Sequence, residues 1–108
     1  NKQVSAIDWQ RPASELDCLI RAFNPWPLAH AQLDGKPLKV WAAEVGEGHG
    51  APGQVLACEK QGLLVACGTG ALRLTRLQLP GGKPLAFADL YNSRRDQFAP
   101  GLTLGNGQ

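Results

Sequence analysis

The sequence predicts a single, mainly β domain built on antiparallel strands. Its 108 residues are enough for one hydrophobic core and too few for two. Apolar residues first recur at the spacing of a helix and then, after Pro27, at the two-residue spacing of strands. Turn signals rich in glycine punctuate this second part at the short intervals that are typical of a small barrel or sandwich.

The composition is that of a globular protein with a mild positive charge. Hydrophobic residues make up 44% of the chain and charged residues 19%, and no apolar run approaches the length of a membrane span. The first residues contain neither an initiator Met nor a signal-peptide core, so we interpret the chain as a piece of a longer protein. The net charge is only +2, so any binding of a polyanion depends on clustering of the basic residues.

The three cysteines favour a reducing compartment, and we expect a cytoplasmic location. Cys18, Cys58 and Cys67 are an odd number without Cys-x-x-Cys spacing, so we expect small buried apolar groups and no disulfide. A zinc site formed by His30 and His49 with Cys58 and Cys67 is an alternative, but none of the spacings matches a known ligand pair. We therefore expect no metal.

Two helices are predicted, one before the strands and one after them. Ser14 offers an N-cap for the first helix, and an apolar face follows at Leu16, Leu19, Ile20 and Phe23. The prolines of Asn24-Pro25-Trp26-Pro27 end this helix because they cannot donate helical hydrogen bonds. The second helix is shorter, ends near Arg95 and has its apolar residues at Phe87, Leu90 and Tyr91.

The strands are predicted between these helices. Their expected ranges are Ala29–Leu33, Leu38–Val45, Gln54–Glu59, Leu63–Cys67 and Ala71–Leu79. Asp34-Gly35 tolerates positive φ and favours a tight hairpin. Apolar residues on both faces of such short strands indicate an OB-fold-like open antiparallel barrel with a helix at one end. A β-bulge near Thr75-Arg76 is needed to bring Leu77 and Leu79 to the same side as Leu72 and Leu74.

The two ends of the chain complete the predicted fold. Ile7 and Trp9 are the apolar anchors of a short extended arm that lies against the domain. The Gly101 to Gln108 tail is expected to be loosely held, as chain ends often are.

Several sequence blocks resemble the C-terminal domain of bacterial methionyl-tRNA formyltransferase, in the same order along the chain. They are Phe23-Asn24-Pro25-Trp26-Pro27, Ala51-Pro52-Gly53-x-Val55-Leu56, Gly68-x-Gly70-Ala71-Leu72-Arg73-Leu74 and Leu77-Gln78-x-Pro80-Gly81-x-Lys83-Pro84. Ile7-Asp8-Trp9 resembles the segment that leads into that domain. The resemblance implies a linker at residues 1–12, an OB-like tRNA-binding domain at 13–104 and a tail at 105–108.

The resemblance also implies a function. Full-length members of the family are transferases that move a formyl group from 10-formyltetrahydrofolate to the methionine on initiator tRNA, in an N-terminal catalytic domain. Their C-terminal barrel holds the tRNA backbone on a basic face without reading its sequence. For this chain, the resemblance implies no catalytic residue and no cofactor of its own, with initiator tRNA and the N-terminal catalytic domain as partners and no membrane.

Three positions depart from the family pattern. Leu28 stands where a glycine commonly follows the Pro-Trp-Pro block, and Ala86 replaces a usual Ser cap. Gly82 stands where the turn often carries a second basic residue, which removes one positive charge from the expected tRNA surface.

The candidate tRNA-contacting residues are basic side chains that cluster along the sequence. Between Arg73 and Arg95 there are five basic residues, and Asp89 is the one acid, a local balance of +4. The alternative interpretation is an ordinary solvated face, and not all candidates can share one side of the barrel. The candidates are Lys2, Lys36, Lys39, Arg73, Arg76, Lys83, Arg94 and Arg95.

Other possible sites have simpler interpretations. The pattern from Gly48 to Gly53 matches a G-x-G-x-x-G dinucleotide motif, but the residues after it indicate a strand, not the helix the motif requires. Trp26 and Trp41 offer stacking surfaces for bases, and core packing is the interpretation we prefer. The alternative for the whole chain is a structural barrel of another formyltransferase-family enzyme that does not bind RNA.

Overall fold

A computed structural model describes residues 5–107 and confirms a mainly β fold with two α-helices. The elements, in chain order, are α1 (Ala13–Ala22), β1 (Ala29–Leu33), β2 (Lys36–Gly46), β3 (Val55–Glu59), β4 (Gly62–Ala66), β5 (Ala71–Gln78), β6 (Pro84–Ala86), α2 (Phe87–Arg94) and a 3₁₀ helix (Arg95–Phe98). Neither α-helix of residues 5–107 is long and apolar enough to cross a membrane.

The strands form one antiparallel sheet in the order β1-β2-β5-β4-β3, and β6 pairs with β5. The sheet itself is open, with β1 and β3 at its two ends. The prediction of an OB-fold-like open barrel is therefore confirmed, as are the five longer strands to within two residues at each end.

The turn between β1 and β2 has the predicted tight geometry. Leu33 pairs with Lys36, which leaves two residues in the loop. Asp34 and Gly35 both have positive φ, 53° and 78°, as a hairpin turn matched to the strand twist requires. This hairpin fixes the register of β1 on β2 and thereby the positions of the basic residues of β2.

The predicted bulge in β5 is also confirmed. Ala42 pairs with Arg76 and the next residue, Ala43, pairs with Leu74, so Thr75 is the extra residue in β5. Beyond the bulge Leu77 is fully buried, and Leu79 packs against the core. The bulge therefore places apolar side chains from both halves of β5 on the inner face and leaves Arg76 outside.

The core lies between the inner face of the sheet and the two helices. α1 contributes Leu16 and Ile20 to the core. Phe87 of α2 and Phe98 of the 3₁₀ helix pack edge to face, with their ring centres 5.6 Å apart. From the segment before α1, Trp9 is only 1% exposed and is part of the same cluster. The predicted apolar anchors of the N-terminal arm are confirmed.

The predicted N-cap of α1 is wrong. The helix begins at Ala13 with Pro12 as its N-cap, so Ser14 lies inside the first turn. No side chain caps this end; instead the Ala13 N–H donates to the Thr69 carbonyl at 2.9 Å. The first helical N–H groups lack partners within the helix, and here the turn at Thr69 accepts one of them. This partner is distant in sequence, so the local sequence does not reveal it.

The prediction of a loosely held C-terminal tail is wrong for residues 101–107. Leu104 is buried, and Gly105 exchanges two backbone hydrogen bonds with Gln32 of β1. Val55 of β3 donates to the Leu102 carbonyl at 2.7 Å. The tail therefore runs between the two end strands of the sheet and uses backbone groups that would otherwise lack a partner.

Candidate nucleic-acid interface

Lys39 lies in a row of residues that crosses four strands. It pairs with His30 of β1 on one side and with Gln78 of β5 on the other, and Gln78 pairs in turn with Pro84 of β6. The neighbours of Lys39 in β2, Leu38 and Val40, are fully buried. Since side chains alternate along a strand, Lys39 projects from the outer face of the sheet.

Arg76 lies on the same outer face, two residues from Gln78 in β5. The intervening Leu77 is fully buried, whereas Arg76 is exposed. Lys83 belongs to the turn just before β6, and the Gln78 side-chain amide donates to the Gly82 carbonyl in that turn at 3.0 Å. Lys39 and Arg76 thus share the outer face beside Gln78, and Lys83 is exposed in the turn that the Gln78 side chain contacts. We call these three residues the basic patch.

Lys36 is exposed at the first position of β2, close to the patch. It lies three residues from Lys39, a separation of about 10 Å along a strand. Asp34, two residues before Lys36, is the acid of the hairpin turn. Because an odd separation along a strand places two side chains on opposite faces, Lys36 does not share the outer face of Lys39.

The three patch residues have no carboxylate of residues 5–107 within salt-bridge distance. The ion pairs of this part of the chain join Arg21 to Asp17 at 3.2 Å and Arg73 to Glu44 at 3.4 Å. A cation without a protein counter-ion is free to neutralise a phosphate and release its counterions. This distinguishes the patch from the paired arginines.

Arg73 differs from the patch residues in this respect. It pairs with Glu44 across β5 and β2, and its guanidinium Nη1 donates to the Glu44 Oε1. The local balance of +4 counted along the sequence omits this acid because Glu44 comes from another strand. Arg73 is on the outer face, but its charge is already compensated within the protein.

Arg95 lies apart from the patch, and Arg94 precedes it as the last residue of α2. The Arg95 guanidinium carbon sits 5.3 Å from the centre of the Tyr91 ring, and its charge acts on Cys58 of β3. Along the sheet, β5 and β4 separate β3 from β2. The remaining candidate, Lys2, lies outside the described residues.

The interpretation of Trp26 as a core residue is wrong, because its side chain is 79% exposed. The residue that anchors this corner is Leu28, which is only 6% exposed. Trp41 is half-buried on the outer face, where its indole Nε1 donates to the Gln78 Oε1 at 3.0 Å. Both tryptophans therefore lie on the outside of the barrel, in contrast to the core packing predicted for them.

The glycine-rich loop between β2 and β3 runs directly into a strand. Gly53 is followed by Gln54 and then by β3, and the Ala66 carbonyl accepts the Gly53 N–H at 2.8 Å. A pyrophosphate held on a G-x-G-x-x-G motif needs a helix N-terminus at this point. The loop thus has a structural role, joining β3 to the end of β4.

The three cysteines occupy different environments. Cys67 is 3% exposed, and burial raises the pKa of its thiol to about 11. Burial also raises the pKa of Cys58, while the nearby positive charge of Arg95 acts in the opposite direction. Cys18 is exposed on α1, so the prediction of a buried group is wrong for this residue.

Alkylation with iodoacetamide at pH 8 should follow this order of environments. Cys18 should react first and Cys67 last, because at a pKa of about 11 only about a thousandth of the Cys67 thiol is thiolate. Arg95→Gln removes the charge that lowers the Cys58 pKa, so Cys58 should react more slowly and need a higher pH. Peptide mapping by mass spectrometry measures all three rates, and an unchanged Cys58 rate would contradict this assignment.

Comparison with known proteins identifies the class to which this barrel belongs. The profile of the family described as "Formyl transferase, C-terminal domain" matches residues 1–95, and the chain belongs to this family. A methionyl-tRNA formyltransferase of Ectopseudomonas mendocina (strain ymp) is 70% identical over 105 residues, which are 97% of this chain and 33% of that protein. That of Stutzerimonas stutzeri (strain A1501) is 66% identical over the same share of each. The chain spans about a third of the length of these relatives.

Solved structures share the fold at low sequence identity. A multiply substituted variant of HypX from Aquifex aeolicus superposes with a TM-score of 0.74 at 19% identity, covering 93% of this chain and 18% of that one. HypX in complex with tetrahydrofolic acid gives a TM-score of 0.69 at 21% identity, covering 84% of this chain and 17% of that one. These likenesses support the barrel fold.

Proposed function

We propose that this domain holds the backbone of initiator tRNA on the basic patch, as the C-terminal part of a cytoplasmic methionyl-tRNA formyltransferase. The observation that carries the proposal is that Lys39 and Arg76 share one outer face, with Lys83 in the adjoining turn, and that none of the three has a carboxylate partner among residues 5–107. The names of the close relatives support the substrate. Formyl transfer from 10-formyltetrahydrofolate belongs to the catalytic domain that precedes this one in the full-length protein.

The proposed mechanism is positioning by charge. Contacts to phosphates fix the orientation of a nucleic acid but carry no direct sequence information. The pairing of β2, β5 and β6 sets the backbone positions of Lys39, Arg76 and the turn that carries Lys83. Holding the body of the tRNA there raises the effective concentration of its acceptor end at the catalytic domain. Choice of the initiator tRNA is left to that domain.

A salt titration with two matched arginine variants tests the proposal. Arg76→Gln should weaken tRNA binding and reduce the slope of log K against log salt by about 1, because one phosphate contact is lost. Arg73→Gln should have a smaller effect, since Arg73 is already paired with Glu44. Fluorescence anisotropy with labelled tRNA between low and high salt measures both slopes.

Two results would count against the proposal. If the wild-type domain does not bind tRNA even at low salt, the barrel has a structural role in the full-length enzyme. If Arg73→Gln weakens binding as much as Arg76→Gln does, the contact surface is not the basic patch but extends along the whole outer face.

A further inference from the structure

We infer that the groove beside the basic patch binds an unpaired nucleotide, with its base stacked on Trp26 and its phosphate on Lys39. This inference rests on the proposed function, because it adds a second contact to the same RNA-binding surface. The proposed function concerns the phosphates of the RNA, whereas this inference concerns the exposed face of a base. The base would lie on a different part of the barrel, the outer side of β1.

The groove has a volume of about 750 Å³ and is formed by the Pro-Trp-Pro corner, β1 and the start of β2. Trp26 and Pro27 supply one wall, and Pro37 and Lys39 of β2 supply another. Gln32 of β1 also lines the groove, so amide groups are available to a polar base edge. The lining thus combines apolar side chains with a lysine and an amide, as a nucleotide requires.

Trp26 is held in place although its side chain is exposed. The Leu28 N–H donates to the Phe23 carbonyl at 2.9 Å and closes the corner that carries Trp26. The Asn24 side-chain amide donates to the Trp41 carbonyl and ties the same corner to β2 at 2.6 Å. An indole side chain has only two rotatable torsions, so on a fixed backbone it loses little conformational entropy when a base stacks on it.

The charge of the groove matches the phosphate of a nucleotide. Among the described residues that line it, Lys39 is the charged side chain, and no carboxylate of residues 5–107 is paired with it. Lys39 also belongs to the basic patch, so the groove and the patch are continuous across the β1–β2 pair. An RNA strand that follows the patch therefore brings a phosphate to the groove.

An exposed indole favours an unpaired base over a base within a duplex. Both faces of a base inside a helix are covered by its neighbours, whereas a base in a loop or single strand can turn onto an aromatic side chain. Stacking on an indole accepts every base, which keeps the contact free of sequence choice. The occupant we propose is thus any unpaired nucleotide next to the phosphates held by the patch.

The test compares a single-stranded RNA octamer with an RNA duplex of the same length on wild-type protein and on Trp26→Ala. The variant should bind the single strand about 10-fold more weakly and the duplex within about twofold of wild type. Trp26→Phe retains a ring and should recover most of the single-strand affinity. Single-stranded RNA should quench the tryptophan emission of wild-type protein, and Trp26→Phe should lack most of this quenching.

The outcomes separate this inference from the proposed function. If Trp26→Ala binds the single strand as wild type does, while Arg76→Gln binds it more weakly, the patch binds RNA and the groove does not. That result would overturn the inference. If wild-type protein binds neither RNA at low salt, the proposed function fails and the groove assignment fails with it. Because Trp26 is exposed, Trp26→Ala should unfold at the wild-type denaturant concentration.

Discussion

Gly68→Ala should lower the free energy of unfolding by about 3 kcal/mol, because the site has no room for a methyl group. A Cβ at this position would overlap the Gln10 carbonyl group of the segment before α1. The same turn receives that segment through the Gly68 N–H, which donates to the Arg11 carbonyl at 3.1 Å. Moving Gln10 and Arg11 aside would loosen Trp9, which is buried in the core just before them.

Gly82→Ala is the matched control for this change. The nearest atom to its added Cβ, apart from its chain neighbours, is the Leu79 carbonyl oxygen at 3.4 Å, and the turn is exposed. Its free energy of unfolding should stay within about 0.5 kcal/mol of wild type. Urea denaturation followed by circular dichroism measures both variants. Equal midpoints for Gly68→Ala and wild type would show that the N-terminal segment is not packed as described.

Reversing the whole basic patch should have the largest effect on RNA binding. In the triple variant Lys39→Glu, Arg76→Glu and Lys83→Glu, three attractive contacts are lost and three repulsive charges are introduced. At about 1 kcal/mol for each lost contact, tRNA affinity at moderate salt should fall by about 100-fold or more. Anisotropy or filter binding at several salt concentrations measures the loss, which should shrink as salt screens the charges.

A second triple variant separates position from net charge. Arg11→Glu, Arg21→Glu and Lys60→Glu gives the same net charge but leaves the basic patch intact. If binding depends on the patch, this control should lose much less affinity than the patch variant. Equal losses in the two variants would mean that tRNA responds only to the overall charge of the domain.

The fold was largely predictable because its signals are local. The two-residue hairpin at Asp34-Gly35 needs positive φ, and these residue types supply it. The bulge at Thr75 follows from the change of apolar phase between Leu74 and Leu77, which one strand cannot satisfy without an extra residue. Such features depend on a few neighbouring residues, so the sequence alone contains the information.

The features that were mispredicted depend on contacts between distant segments. The partner of the α1 N-terminus is Thr69, and the C-terminal tail is held by Gln32 and Val55, which no local pattern reveals. The place of Trp26 between two prolines at a sharp corner predicts core packing, but Leu28 is the buried residue there and the indole lies outside. Which of several neighbouring apolar side chains is buried depends on the tertiary packing, and the sequence alone does not show which one it is.

For the basic candidates, too, the sequence shows the local features but not the contacts between distant segments. Their identity could be read from the sequence, and so could the scarcity of acids between Arg73 and Arg95. Which of them share a face depends on the register between β2 and β5, which pairs Glu44 with Arg73 and places Lys39 beside Gln78. A prediction of the interface from sequence therefore needs the strand pairing as well as the charges.

The most direct test of the proposed interface is a backbone NMR titration of the domain with tRNA. Amide signals at the start of β2, the end of β5 and the turn before β6, residues 36–41 and 76–84, should shift or broaden most. The glycine-rich loop at residues 47–53, at the opposite end of β2, should change little. The largest changes in that loop, with those of residues 76–84 unaffected, would contradict tRNA binding on the basic patch.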